Sequence, residues 1–291
     1  MDHPSNAPAS PRLQWFGQTD RGHVRKNNED TFLALEFDAR EIQYLGKIGE
    51  APTENIDFVF AVSDGMGGAK AGELASRITV DKITHLLPRS FKQSASGLKT
   101  GFEDIFTELF DQIHRALTFL GASDEEVNGM QATLSLCWFT PGWMYFGHIG
   151  DSRIYYLPAS GKEIKQLTQD DTYVGWLFRT GQITEWEAHN HPRRAVLQKA
   201  LGGGNQYIEP QVGAVAYEQG DMFLLCTDGL TDGLFDNEVL ELLRRPDAAE
   251  AAMTPAERMV NISLERAGRD NTTALVIEML EQDESYVYGS P

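Results

Sequence analysis

The sequence predicts an α+β fold in which two antiparallel β-sheets pack face to face with helices outside them. Apolar runs of strand length, set off by Gly, Asn, Asp and Pro, occupy both ends of the chain. Two amphipathic helical stretches interrupt them after the third run, and a further helix precedes the last run. Strands, an inserted helical pair and strands again describe layers around one core.

Residues 1–11 hold Pro, Ser, Asn and Ala with little to bury, and residues 281–291 are mostly polar, so flexible tails are expected on either side of one domain over 12–280. Leu13 to Gln18, Thr31 to Phe37 and Asp57 to Ser63 are the first strands. Asp38 to Asn55 is too long for a turn and contains Gly46, Gly49 and Pro52, which predicts a loop or a hairpin extension. The next segment, about Lys70 to Leu87, is a helix expected to bury Leu74, Ala75, Ile78 and Leu86. The second helix is the clearer one: Phe102, Ile105, Phe106, Leu109, Phe110, Ile113, Leu117 and Leu120 fall on one arc, a core stripe. Between Gln131 and Leu157 the period becomes two. Trp143, Tyr145, Gly147 and Ile149 alternate with Met144, Phe146 and His148, so this strand is covered on both faces. Met222 to Cys226 and Thr272 to Ile277 are later strands, with a helix near Pro255 to Ala267 between them.

A chain of 291 residues with 41% hydrophobic content can bury one sizeable core, and no linker divides it. The formal net charge of −18 disfavours nucleic acid or an anionic membrane as main partner. Cys137 and Cys226 lie in apolar strands without Cys-x-x-Cys spacing, which fits buried reduced thiols and a cytoplasmic setting. Neither has Arg six positions later, as Trp143 and Asp232 stand there, so a thiolate phosphatase loop is excluded. No apolar run is long enough to span a membrane.

Asp64-Gly65-Met66-Gly67-Gly68 ends a buried-looking strand and sets one carboxylate beside bare backbone. Such an aspartate can bridge two divalent cations, and the Gly65 carbonyl offers another oxygen. Asp-Gly is also ordinary turn chemistry. Four further acidic clusters stand at strand ends: Arg25 to Asp30, Gly150-Asp151-Ser152-Arg153, Thr227-Asp228-Gly229 and Arg269-Asp270-Asn271. Crowded carboxylates repel one another unless cations intervene, so this recurrence predicts a shared oxygen-ligand site. Oxygen donors without a His/Cys cluster favour Mg2+ or Mn2+ over zinc.

Arg-x-x-Asn-Glu-Asp, Asp-Gly-Met-Gly-Gly with Gly72-Glu73, Gly-Asp-Ser-Arg, Thr-Asp-Gly and Asp-Asn, in that order from about Trp15 to Glu278, resemble the metal-dependent protein serine/threonine phosphatases of the PP2C (PPM) type. The resemblance implies a four-layer α-β-β-α sandwich with two Mn2+ or Mg2+ ions in a cleft at one edge. It implies that Asp64 bridges the ions, that the Gly65 carbonyl joins one, and that Asp228 and Asp270 complete the other. Glu29 would act at the metal centre, Asp30 would orient the attacking water, and Arg25 would bind the substrate phosphate through its planar guanidinium. Bacterial members often hold a third, weaker ion, here between Asp151 and Asp228. The alternative for Asp151 is a turn aspartate anchoring Arg153.

The same resemblance implies hydrolysis of phosphoserine and phosphothreonine by a metal-bridging water, on a phosphorylated protein, by a monomer opposing a bacterial serine/threonine kinase. Met66 departs from animal relatives, which carry a His there as general acid; His148 reads as a packed strand residue. Residues 167–204 look like the family's flap, with Asp171 where many relatives have His and Ala195 where many have Asn. Trp176, Phe178 and Trp186 serve either substrate docking or flap packing. Two other readings stay open on sequence: a catalytically silent phosphoprotein-binding module of the same fold, and a phosphatase for small phosphoesters.

Overall fold

The computed structural model describes residues 11–38, 41–95, 101–204, 208–244, 246–248 and 250–280. The expected tails, apart from Pro11, lie outside the described residues.

The first strands are β1 (Arg12–Asp20), β2 (Asp30–Phe37), β3 (Ile42–Tyr44), β4 (Ile48–Pro52) and β5 (Asp57–Met66). Helices α1 (Ala69–Ala95) and α2 (Phe102–Ser123) follow. The middle of the chain forms β6 (Gln131–Ala132), β7 (Leu134–Thr140), β8 (Trp143–Ile149), β9 (Arg153–Leu157) and β10 (Lys165–Gln166). Next come α3 (Tyr173–Arg179) and α4 (Glu185–His189), in the segment expected to be a flap, then β11 (Leu201–Gly202), β12 (Gln211–Ala216) and β13 (Met222–Cys226). Helices α5 (Asp228–Thr231), α6 (Asp236–Arg244) and α7 (Pro255–Arg266) precede β14 (Thr272–Leu280).

One antiparallel sheet runs β10-β9-β13-β14-β1-β4. In the other, β2 pairs with β3 and β5, β7 and β8 continue to β12, and β6 and β11 extend the end of β5. Alternation assigns each side chain to a layer. On β5, Val59 and Ala61 face α1 and α2, where they meet Phe106, Phe110 and Ile113. Phe58, Phe60 and Val62 point the other way, against Phe223, Leu225, Leu275 and Ile277 of the first sheet. The far face of that sheet packs Leu224 and Val276 on Val239 and Met259 of α6 and α7. The layers are therefore α-β-β-α, and each fully buried Phe or Leu contributes about 1.5–3 kcal/mol.

The hairpin extension expected within Asp38 to Asn55 forms as β3 on β2, and β4 then joins β1 in the other sheet. Other local expectations need correction. Leu74 is 37% exposed and Leu120 36%. The buried face of α1 is Ala71, Ala75, Thr79, Ile83 and Leu87, whose small N-terminal members let the helix sit close on β5. His114 and Gly121 join the buried side of α2. The sequence reading has no strand over Gln211–Ala216, because the small Gly213 and Ala214 give β12 a weak apolar pattern. Gly147 is demanded by packing: a Cβ there would meet the Phe110 ring at 2.8 Å.

Candidate metal centre

The alternation that builds the inter-sheet core also builds the site. The core-facing rows end in polar residues at one edge of the sandwich: Asp30 after Ala34 and Phe32, Asp64 after Phe60 and Val62, and Thr227 after Phe223 and Leu225. Thr133 and Ser135 end the row of Cys137 and Phe139, and Thr273 ends that of Leu275 and Ile277. Strand β5 runs through Met66, so Asp64 lies within paired strand, directly opposite Asp30 on β2. Like charges so opposed are destabilising unless something neutralises them.

Hydrogen bonds fix the Asp30 carboxylate and the backbone that carries the others. Asp30 Oδ2 accepts hydroxyl hydrogen bonds from Thr227 and Thr273, both at 2.7 Å, while its Oδ1 is buried without a partner. Thr133 clamps Asp64: its Oγ1 accepts from Asp64 N at 3.0 Å, and its own N donates to Asp64 O at 2.9 Å. Thr133 Oγ1 also meets Ser152 Oγ at 2.7 Å, which ties Asp64 to the turn carrying Asp151. Asn271 Oδ1 accepts from Glu29 N at 2.7 Å, and its amide donates to the carbonyls of Arg21 and Asn27, pinning the loop of Arg25 and Glu29 to the start of β14. The chain turns from β5 into α1 through Gly67 and Gly68, at φ +121° and +90°, where a side chain would be strained. Gly65 and Gly72 meet backbone to backbone, and Glu29 lies against Gly72.

One cleft is lined by Arg25, Glu29, Asp64, Gly65, Asp151, Asp228 and Asp270 together. Asp30 is buried beside it. Burial is the largest cause raising Asp64 and Asp228 well above the ordinary carboxylate range, and the surrounding aspartates add to it. Burial likewise pushes Asp30 up to about 7 against the two threonine donors, and Asp151 to about 7 with help from Asp170. It raises Glu29 too, opposed by Arg25. Arg25 donates to Asp270 Oδ2 at 2.7 Å. Among the described residues, no group of three His, Cys, Asp or Glu side chains stands ready as a cage for an ion. The donor set nevertheless fits a hard cation: the acids are oxygen ligands, and Asp30 and Asp228 each leave one buried oxygen unpaired.

The protein phosphatase 2C family model matches residues 49–265. The chain belongs to that family. It is 33% identical over 274 residues to the serine/threonine protein phosphatase PstP of Mycobacterium tuberculosis, covering 93% of this chain and 46% of PstP. The chain thus spans about half the length of that curated relative. It is 30% identical over 264 residues to the serine/threonine phosphatase stp of Listeria monocytogenes, covering 90% of this chain and 94% of stp. The crystal structure of M. tuberculosis PstP superposes with a TM-score of 0.72 at 31% identity, covering 93% of this chain and all of that one. A PstP catalytic domain in complex with two manganese ions gives 0.67 at 30% identity, covering 94% and 100%.

Within this protein phosphatase 2C chain, the residues that sequence reasoning missed are the polar supports Thr133, Ser152, Thr227 and Thr273. Continuing the period-two rows past the last apolar residue would have found three of them. His148 is a buried strand residue, as expected: Ser135 Oγ meets its Nδ1 at 2.8 Å and its Nε2 donates to Gly150 O. Asp151 does not anchor Arg153; Asp170 does, at 2.7–3.2 Å. Asp171 accepts from Gly150 N at 3.1 Å and so fastens the root of this segment to the Asp151 turn. The flap presents Ala195 and Leu197 to the cleft. Trp176, Phe178 and Trp186 are 43–66% exposed, so they are surface residues of the flap.

Proposed function

We propose that this chain is a metal-dependent protein phosphatase that hydrolyses phosphoserine and phosphothreonine monoesters using two Mn2+ or Mg2+ ions. The observation that carries the reading is the convergence of Asp64, Asp151, Asp228, Asp270 and Glu29, from five separate segments, around one cleft that also holds Arg25. Asp64, the Gly65 carbonyl, Asp228 and Asp270 would hold the two ions with Glu29 beside them, and Asp151 with Asp228 a third. When bound, such ions offset the carboxylate charge, attract phosphoryl oxygens and acidify a water.

The chain's own residues do the rest. Asp30 has one oxygen fixed by Thr227 and Thr273 and the other free, which suits it to orient the attacking water and accept its proton. Arg25, half-exposed, exchanges Asp270 for two phosphoryl oxygens. Met66 lines the cleft and its thioether cannot donate a proton, and no histidine lines the cleft among the described residues. The leaving oxygen is therefore protonated by water.

The reading extends to a cytoplasmic monomer that opposes a bacterial serine/threonine kinase. No described helix is long and apolar enough to cross a membrane, which is compatible with that placement. The test is phosphate release from a phosphothreonine peptide with Mn2+, compared with Asp64→Asn. Turnover that needs Mn2+ and is lost in the variant is expected; peptide binding without turnover would instead establish a silent module. Faster turnover of nucleotides or sugar phosphates than of phosphopeptides would favour a small-molecule phosphatase.

A further inference from the structure

A cavity lies beside the metal cleft, between the flap helices α3 and α4 and helices α5 and α6, and the two share Asp151 and Asp228 as walls. Its guanidinium groups are already neutralised. Asp170 holds Arg153, and Asp232 holds Arg194 through two bonds of 2.8 and 2.5 Å. Two further carboxylates line the cavity, Glu185 and Asp236. Glu185 has no ion-pair partner among the described residues, and the cation nearest Asp236 is Arg153 at 3.8 Å, which Asp170 already engages. The remaining walls include Phe178, 43% exposed, and Phe235, whose ring stacks on His189 at 4.4 Å.

We propose that this cavity receives a lysine or arginine side chain of the phosphoprotein, close in sequence to the residue whose phosphate enters the cleft. The aliphatic stem would lie against the two Phe rings, with the charged head between Glu185 and Asp236. Continuity with the cleft makes a single groove that one extended peptide can occupy. A protein of net charge −18 recruits a basic segment and repels an acidic one, so the preference acts on encounter as well as on seating. The inference rests on the phosphatase reading and names the substrate class for the same site.

The experiment compares phosphothreonine peptides of three charge classes that differ only in neighbouring residues: arginine or lysine, their uncharged analogues citrulline and norleucine, and glutamate. KM is expected to be lowest for the basic peptides, by roughly five- to tenfold over the uncharged ones, as two half-exposed ion pairs allow. The double variant Glu185→Gln/Asp236→Asn should lose most of that difference, as should wild type at high salt. Turnover of p-nitrophenyl phosphate, which has no side chain to seat, should be unchanged in the variant. Equal KM values across the peptides, or a preference for glutamate, overturn the proposal. So does a double variant that alters Mn2+ binding and not peptide preference, because the cavity would then belong to the metal centre. Affinities for non-hydrolysable phosphonate peptides repeat the comparison without turnover. A basic preference in binding without hydrolysis therefore overturns only the phosphatase reading, and hydrolysis without preference overturns only this inference.

Discussion

Replacing Asp228 by Asn is expected to make the metal-free chain more stable while removing its response to divalent cations. Asp228 Oδ1 is buried without a hydrogen-bond partner, and burial with Asp151, Asp232, Asp270 and Asp30 holds the carboxyl well above its ordinary range. Asparagine keeps the volume, removes the charge and supplies N–H donors among carboxylate acceptors. An unsatisfied buried group costs about 1–3 kcal/mol. Relief of that order would raise Tm by roughly 2–8 °C in a chain of this size. The pH dependence supplies an internal control. Asp30 and Asp151, at about 7, bind protons more tightly folded than unfolded, so wild-type stability falls as pH rises from the unfolded carboxylate value toward 7. The variant's advantage should therefore be largest above about pH 7 and vanish near about pH 4, where the wild type is protonated. Thermal melts in EDTA across that window, repeated with Mn2+, measure both effects. A lower Tm for the variant at neutral pH in EDTA would refute the repulsion argument. An undiminished Mn2+ shift in the variant would remove Asp228 from the ligand set.

Thr273→Val deletes one of the two hydroxyl donors that favour ionised Asp30, so the acid limb of the pH–rate profile should move to higher pH, with a stability loss of about 1 kcal/mol; Thr273→Ser should restore both. Asp171→Ala leaves the buried Gly150 N–H unpaired and leaves the segment root held there by backbone bonds alone, so limited proteolysis between α3 and α4 should accelerate. Asp171→Asn, which keeps an acceptor, should cut at the wild-type rate; equal rates for all three chains would show that Asp171 does not fasten the flap.

The large apolar side chains made most of the fold legible. The stripe of α2 and the two-faced pattern of β8 announced their layers, because one Phe or Ile outweighs many weaker signals. Legibility failed where burial is achieved by small residues. On the inner face of α1 the sequence marks Ala75 but not Ala71 or Thr79, which no hydrophobicity pattern singles out, and it counts Leu74, which lies at the solvent side, among the buried residues. The acidic site residues were legible because five carboxylate motifs recur at strand ends. Their supports were not, since Thr133, Thr227 and Thr273 are as common in exposed strands as in buried ones. Only the register that brings Thr133 beside Asp64, and both other threonines to Asp30, gives them meaning.

The site also concentrates like charge at one edge of the sandwich, and for the same reason that it is useful. Core-facing rows that elsewhere carry Phe here carry Asp30 and its cross-strand neighbour Asp64, with Asp228 nearby and too few donors for all their oxygens. The metal-free chain reduces this repulsion in two ways: protonation, seen in the raised carboxyls, and the Arg25–Asp270 ion pair. Both are reversible, and under the proposed mechanism both withhold a group from catalysis. In the proposed roles, a protonated Asp30 cannot take a proton from water, and an Arg25 bonded to Asp270 has one Nη2 hydrogen fewer to offer phosphate. Positive charge delivered to the carboxylates would, under that mechanism, release base and arginine together. Metal affinity, the pKa of Asp30 and phosphate affinity should then move as one linked set when any single carboxylate of the cleft is changed.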